Sequence, residues 1–343
     1  MKIFVLNTAA RSKGALSVFE EFYNTVLEDS SDIEWIFLVS EQIVNSKNNV
    51  KVIVDKSLRS KFKRLKFDLF TGHRYIKKFS PDVIVSFQNT LPLFTTTKTV
   101  LYLHQSLPFQ TEKEYSFFKR NEFPYAVIQY IIGSLIRLSV KRSDLTIVQS
   151  EWLKQAISTI SKNTKVIAPT IKDIPKLNNQ EISNQVCFFY PTSDYPYKNN
   201  ELIEKAVEIV EQNFESFSVK ITLEHKLKSE RIESLGMISR TEVMSLMSQG
   251  VLLFPSYIES FGLPLLEARE LNRIILSTDT LFAREVLQDY PNVYYFHKNN
   301  YEELAQLMER VIQGNITIKK EVVKSAKKNS WEVVKNSIVE VVR

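Results

Sequence analysis

Two carboxylates eight residues apart, Glu259 and Glu267, flank the run Ser260-Phe261-Gly262-Leu263-Pro264. Carboxylates accept hydrogen bonds and suit sugar hydroxyls, whereas the backbone N–H groups of a helix start attract phosphate. A glycine followed by a proline marks such a start, because glycine takes the tight turn and proline fits the first helical positions. Just before it, Val251-Leu252-Leu253-Phe254 reads as a buried strand. The order is therefore strand, acidic loop, helix N-terminus and an acid in the first turn. Such a segment places an anion site beside two hydroxyl acceptors, which matches both halves of a sugar linked to a nucleoside diphosphate. The competing reading of Glu267 is a first-turn acid that merely favours the helix macrodipole.

Something must hold these residues in place, and the spacing of apolar runs predicts it. Strands are expected at 3–7, 35–39, 50–54, 83–87, 100–104, 145–149 and 166–168, then at 186–190, 219–223, 251–254, 274–277 and 293–296. Helical patterns cover 16–27, 152–160, 201–211, 240–247, 264–271 and 301–311. Fully apolar strands alternating with helices predict parallel sheets and an α/β fold. A chain of 343 residues exceeds what one core usually serves. The pattern restarts near Val186 after a polar, proline-bearing stretch. The expected division is therefore 1–170, a linker at 171–184, 185–325, and a terminal segment at 326–343.

The Glu259–Glu267 segment closely resembles the signature of retaining glycosyltransferases of the GT-B fold, especially family 4 (glycosyl transferases group 1). Other pieces fall in the family's order. They are Gly14 after the first strand, Pro81-Asp82-Val83-Ile84-Val85, Leu103-His104-Gln105, Ser143-Asp144-Leu145-Thr146, Tyr197-Lys198-Asn199-Asn200 and Ser330-Trp331. The resemblance implies two Rossmann-like domains facing across a cleft, the first for the acceptor and the second for the donor. It also implies a terminal helix that crosses back to the first domain. The implied reaction moves a sugar from a UDP- or GDP-linked donor to a saccharide or lipid-linked saccharide acceptor with retention, in the making of a bacterial surface polysaccharide.

By this resemblance Glu259, His104 and Lys198 are the candidate catalytic residues. Lys198 meets the diphosphate, Glu259 the donor sugar, and His104 the donor sugar or the acceptor. Donor binding falls to Gly14, Ser193, Lys198, Met237, Ile238, Glu259, Ser260, Phe261, Gly262, Leu263 and Glu267, with Glu267 on the ribose and Met237 and Ile238 near the base. Core packing is the alternative for the last two, a surface position for Lys198 and a structural role for His104. The chain departs from the pattern at Ser193, where relatives carry an arginine five residues before the lysine, and at Ala15, where a second glycine is frequent. An epimerase of the same fold, or a degenerate relative that binds nucleotide or a partner without turnover, are the other readings.

No Asp-x-Asp, His-Glu-x-x-His, Cys-x-x-Cys, Gly-x-Ser-x-Gly or P-loop occurs. No cofactor and no metal are therefore expected, with the nucleotide-sugar a substrate. A single cysteine, Cys187, excludes an internal disulfide and fits a small core residue. Nine Lys or Arg residues and one acid, interleaved with Phe62, Phe67, Phe70, Tyr75 and Phe79, lie between Lys56 and Phe79. That segment reads as a solvated helix face or as a dock for anionic lipid; nucleic acid is not expected, because the basic excess is confined to one segment. The apolar run from Phe123 to Val140 is interrupted by Gln129 and Arg137 and reads as too short and too polar for a clear membrane span. The first strand is too brief for a signal-peptide core, so the expected location is cytoplasmic, with peripheral contact at the inner face of the plasma membrane.

Overall fold

The computed structural model describes residues 1–9, 13–29, 31–171, 186–319 and 330–342. The linker expected at 171–184 lies almost wholly outside these residues. The chain divides into two compact units, Met1–Thr170 with Lys327–Arg343, and Ile171–Ala326.

The first unit holds seven strands, β1 (Lys2–Asn7), β2 (Glu34–Val39), β3 (Val50–Val54), β4 (Val83–Ser86), β5 (Lys98–Leu103), β6 (Leu145–Val148) and β7 (Thr164–Val166). They form one parallel sheet in the order β3-β2-β1-β4-β5-β6-β7. Successive residues alternate faces, so Ile3 and Val5 join one core with Trp35, Phe37, Val83 and Val85, while Phe4 and Leu6 join another with Ile36, Leu38 and Ile84. Both faces are covered, which explains strands without polar alternation.

The terminal helix Ser330–Glu340 belongs to this first unit, as the family resemblance implies. Trp331 is its anchor: the ring packs on Phe22, Phe87 and Tyr102, and its indole N–H donates to Glu21 at 2.7 Å. Lys335 adds an ion pair to Asp29 at 3.2 Å. Burying one such aromatic contributes about 2–3 kcal/mol.

The second unit holds β8 (Val186–Tyr190), β9 (Phe217–Ile221), β10 (Ile232–Ser234), β11 (Val251–Phe254), β12 (Ile275–Thr278) and β13 (Val293–Phe296). Their order is β10-β9-β8-β11-β12-β13, all parallel. The α/β fold with two parallel sheets is thus as the sequence predicts.

Three local expectations need correction. Strand β10 was not foreseen, because it is a three-residue edge strand in which Ile232 alone is buried. Strand β7 begins at Thr164 rather than Val166, its register set by pairing with β6 rather than by apolar content. The run from Phe123 is a continuous 20-residue helical stretch, Phe123–Arg142, long and apolar enough by length and composition to cross a membrane. Its polar interruption is accommodated internally: the buried Gln129 side chain accepts from Tyr115 N–H and donates to the Lys113 carbonyl, both at 3.0 Å. Its Ala126, Gly133, Ile136 and Val140 are buried within the unit.

Candidate active site

In both sheets the chain builds strands outward in one direction and then reverses, leaving a crevice at the C-terminal ends where the order switches. In the second unit the switch lies between β8 and β11. Lys198 follows β8 and Glu259 follows β11, so adjacent strands carry them to the same end.

Lys198 closes a one-turn helix, Pro196–Lys198, held by Asn199 in a left-handed conformation (φ 58°). The buried Tyr190 hydroxyl donates to the Lys198 carbonyl at 3.0 Å and fixes that turn. The Lys198 ammonium is paired with Glu259 Oε1, both side chains being less than one-fifth exposed. Ser256 Oγ donates to the same carboxylate oxygen at 2.7 Å, and Tyr257 N–H donates to the Tyr197 carbonyl at 3.1 Å, tying the two loops together. Ser256 and Tyr190 carried no sequence signal, because a serine and a tyrosine near strand ends are too common to single out.

The helix Leu263–Glu270 is capped by Gly262 at φ 92°, where a side chain would be strained and its Cβ would lie 3.2 Å from Leu265 Cδ1. Gly262 therefore answers first to backbone conformation, with Phe261 buried and Leu263 partly buried beside it. Ser260 is partly buried in the preceding loop. Glu267 lies beyond the first turn of this helix, not within it, so the macrodipole alone does not explain it. It is 4% exposed and paired at 2.9 Å with Arg240 Nη1. An acid this enclosed needs charged or hydrogen-bonding partners.

Arg240 opens the helix Arg240–Gln249, which Ser239 and Glu242 cap reciprocally. The helical pattern at 240–247 was legible in the sequence, but the Ser239–Glu242 cap and the bond from Arg240 to Glu267 come from the structure. That bond brings the loop after β10 beside the Glu267 helix. In this loop Gly236 is left-handed (φ 66°), Met237 is 76% exposed and Ile238 partly buried. Core packing therefore fails as an account of Met237. Ser193 is partly buried, and its carbonyl accepts from Asn200 Nδ2 at 3.0 Å.

His104 and Gly14 belong to the first unit. Gly14 sits in the first turn of the helix Lys13–Leu27 rather than ending a loop. His104 follows β5, and burial pulls its imidazole down to about 4, so the ring is neutral at physiological pH. Its Nε2 lies 3.1 Å from Asn89 Nδ2. Nearby strand ends carry a buried network the sequence did not reveal. Gln88 Oε1 accepts from Thr8 Oγ1 at 2.7 Å, and Gln88 Nε2 donates to Asp68 at 3.0 Å. Burial pushes the Asp68 carboxyl up to about 6, offset in part by the Thr90 hydroxyl bond, the Arg64 charge and the Gln88 bond. Among the described residues no group of three or more His, Cys, Asp or Glu could hold a metal ion.

Two parallel α/β units of this order, the terminal helix returning to the first, define the GT-B architecture. Residues 178–330 match the family model described as glycosyl transferases group 1, the resemblance read from the Glu259–Glu267 segment. The fold is similar to lipopolysaccharide outer core galactosyltransferase WaaB (15% identity, TM-score 0.66, 99% of each chain covered). It is also similar to Anabaena Alr3699/HepE, solved with UDP and glucose (15%, 0.63, 100% of this chain and 97% of that). A third likeness is to sucrose-phosphate synthase from Thermosynechococcus elongatus (13%, 0.63, 99% and 96%). A sequence search against curated proteins finds no significant match.

Proposed function

We propose that the protein is a retaining, metal-independent glycosyltransferase that takes a UDP- or GDP-sugar and glycosylates a saccharide or lipid-linked saccharide of a bacterial surface polysaccharide. The observation that carries this reading is the pairing of Lys198 with Glu259 at the strand-order switch of the second unit, one helix start away from the enclosed Glu267. The neighbour solved with UDP and glucose supports the donor class.

In the reaction the bond from the anomeric carbon to the diphosphate oxygen breaks, a bond to the acceptor hydroxyl oxygen forms, and the hydroxyl proton passes to the released diphosphate or to water. Negative charge grows on the leaving diphosphate. Lys198 answers it as a point charge, and the backbone N–H groups at Gly262 and Leu263 add the helix-start dipole. Glu259 keeps the ammonium in place before the donor arrives and then accepts from sugar hydroxyls. Glu267 accepts from the ribose hydroxyls, as an acid does in dinucleotide folds. Met237 offers an exposed apolar face to the base. In the first unit His104 donates to a saccharide oxygen.

The test is nucleotide release from a panel of UDP- and GDP-sugars with and without saccharide acceptors, in excess EDTA. Release that needs an acceptor and survives EDTA is expected. Turnover of a nucleotide-sugar with no acceptor would point to an epimerase, and loss of release in EDTA would remove metal independence. Product anomeric configuration, read by NMR, decides retention.

The same reading places the enzyme at an anionic membrane through Lys56–Phe79. The apolar side of that segment is partly absorbed by the core, which takes Leu58, Phe67 and Ile76. Phe62 and Phe70 are not: they stand 76% and 61% exposed among the basic residues. Aromatics in a basic field suit the headgroup region of anionic lipid. Sedimentation with phosphatidylglycerol vesicles is expected at low salt, weakening as salt screens the charges and falling several-fold in a Phe62→Ser, Phe70→Ser variant. No sedimentation at low salt would end this part of the reading.

A further inference from the structure

Asn89 occupies the turn after β4, at the strand-order switch of the first unit, in a left-handed conformation (φ 65°). Its Oδ1 accepts two backbone N–H groups, those of His104 and Gln105, each at 2.9 Å. That fixes which end of the amide is oxygen, because an amino group in that place would confront two donors. The Nδ2 group then faces His104 Nε2 at 3.1 Å. An amide nitrogen can only donate, so Nε2 must carry no proton. A neutral ring with bare Nε2 carries its proton on Nδ1. An imidazolium would set N–H against N–H, which agrees with the burial that keeps the ring neutral.

His104 Nδ1 is sealed from solvent and has no hydrogen-bond partner among the described residues. A buried N–H without an acceptor is unfavourable, and a ligand oxygen can relieve it. The ring sits at the C-terminal end of β5, the edge of an open α/β sheet where ligands bind.

We propose that Asn89 is a positioning residue that holds His104 neutral with its proton on Nδ1, so that this N–H donates to an oxygen of the sugar substrate. The consequence is selective. His104 takes a hydroxyl or ring oxygen as its partner and is barred from removing a proton with Nδ1. The inference rests on the reading of His104 as a sugar-contacting group, and its primary readout does not.

The experiment is long-range 1H–15N correlation on the full chain with 15N-labelled histidine at pH 7, the His104 signals assigned by their loss in His104→Gln. Wild type is expected to show a pyrrole-type Nδ1 and a pyridine-type Nε2. In Asn89→Asp one carboxylate oxygen still accepts both backbone N–H groups, while the other can only accept from the ring. The pattern should therefore invert, with Nε2 protonated and kcat/KM for the nucleotide-sugar down about tenfold or more. His104→Asn, whose amide nitrogen lies near the Nδ1 position, should retain more activity than His104→Gln. A pyridine-type Nδ1 in wild type, or a wild-type pattern in Asn89→Asp, overturns the proposal. If the spectra behave as expected but His104→Gln turns over like wild type, the control by Asn89 stands and the sugar contact assigned to His104 falls.

Discussion

Replacing Lys198 by alanine is expected to lower kcat by about a hundredfold to a thousandfold, the usual loss when one preorganised charge-stabilising donor is removed. The leaving diphosphate gains negative charge as the glycosidic bond breaks, so the ammonium acts more strongly in the transition state than on the bound donor. The loss therefore falls mainly on kcat rather than on KM. Activity does not vanish, because the backbone N–H groups at Gly262 and Leu263 remain. Arginine should not restore it, because a planar, forked guanidinium is not equivalent to a compact ammonium point charge. The ion pair with Glu259 is the structural control. Its removal leaves the carboxylate with the Ser256 bond, a stability change of about 1 kcal/mol for a partly exposed pair. A thermal midpoint shifted by a few degrees beside a hundredfold loss of turnover separates the catalytic role from the structural one. Unchanged turnover in both Lys198→Ala and Glu259→Ala would refute the site.

Glu267→Ala should act on the other parameter. On the proposed reading the ribose hydroxyls bond to Glu267 remote from the reacting carbon, so these bonds hold ground state and transition state alike. Their loss is expected to raise the donor KM, and the Kd of free UDP or GDP, by about a hundredfold, near what two hydrogen bonds to a charged group contribute, with kcat changed much less. The complication is Arg240, which shares the Glu267 carboxylate. Arg240→Ala removes that partner and leaves the acceptor oxygens in place. It should therefore lower the thermal midpoint while keeping nucleotide affinity within about threefold. Calorimetric titration of UDP and GDP into the two variants decides the matter. Equal affinity of wild type and Glu267→Ala would leave the acid a purely structural group. The same titration tells which nucleotide the protein prefers.

The candidate donor segment was legible in the sequence because its parts are local. Strand, glycine, proline and two acids lie within one short segment, and the φ of 92° at Gly262 is what the residue type foretold. The strand runs were legible because parallel strands buried on both faces leave no polar alternation. Legibility failed where pairing or burial outweighed composition. Strand β10 has one buried residue and exists because β9 offers an edge. The apolar run from Phe123 reads as interrupted by Gln129, and only the folded unit shows that amide satisfied by Lys113 and Tyr115. Gly14 was expected in a loop and lies in a helix, because the helix starts earlier than its apolar periodicity.

Fold class, family resemblance and the candidacy of Lys198, Glu259 and Glu267 follow from the sequence. Local chemistry suffices for these, since helix starts, buried strands and short motifs are written in neighbouring residues. Tertiary structure alone decided who meets whom. Lys198 reaches Glu259 across 61 positions of chain because β8 and β11 are neighbours in the sheet. Arg240 meets Glu267 because a capped helix starts beside another. Asn89 captures His104 because β4 and β5 are paired, which orients an amide no local pattern could orient. Strand order joins residues distant in sequence, and hydrogen-bond direction within such a junction follows from atoms that only the folded chain brings together.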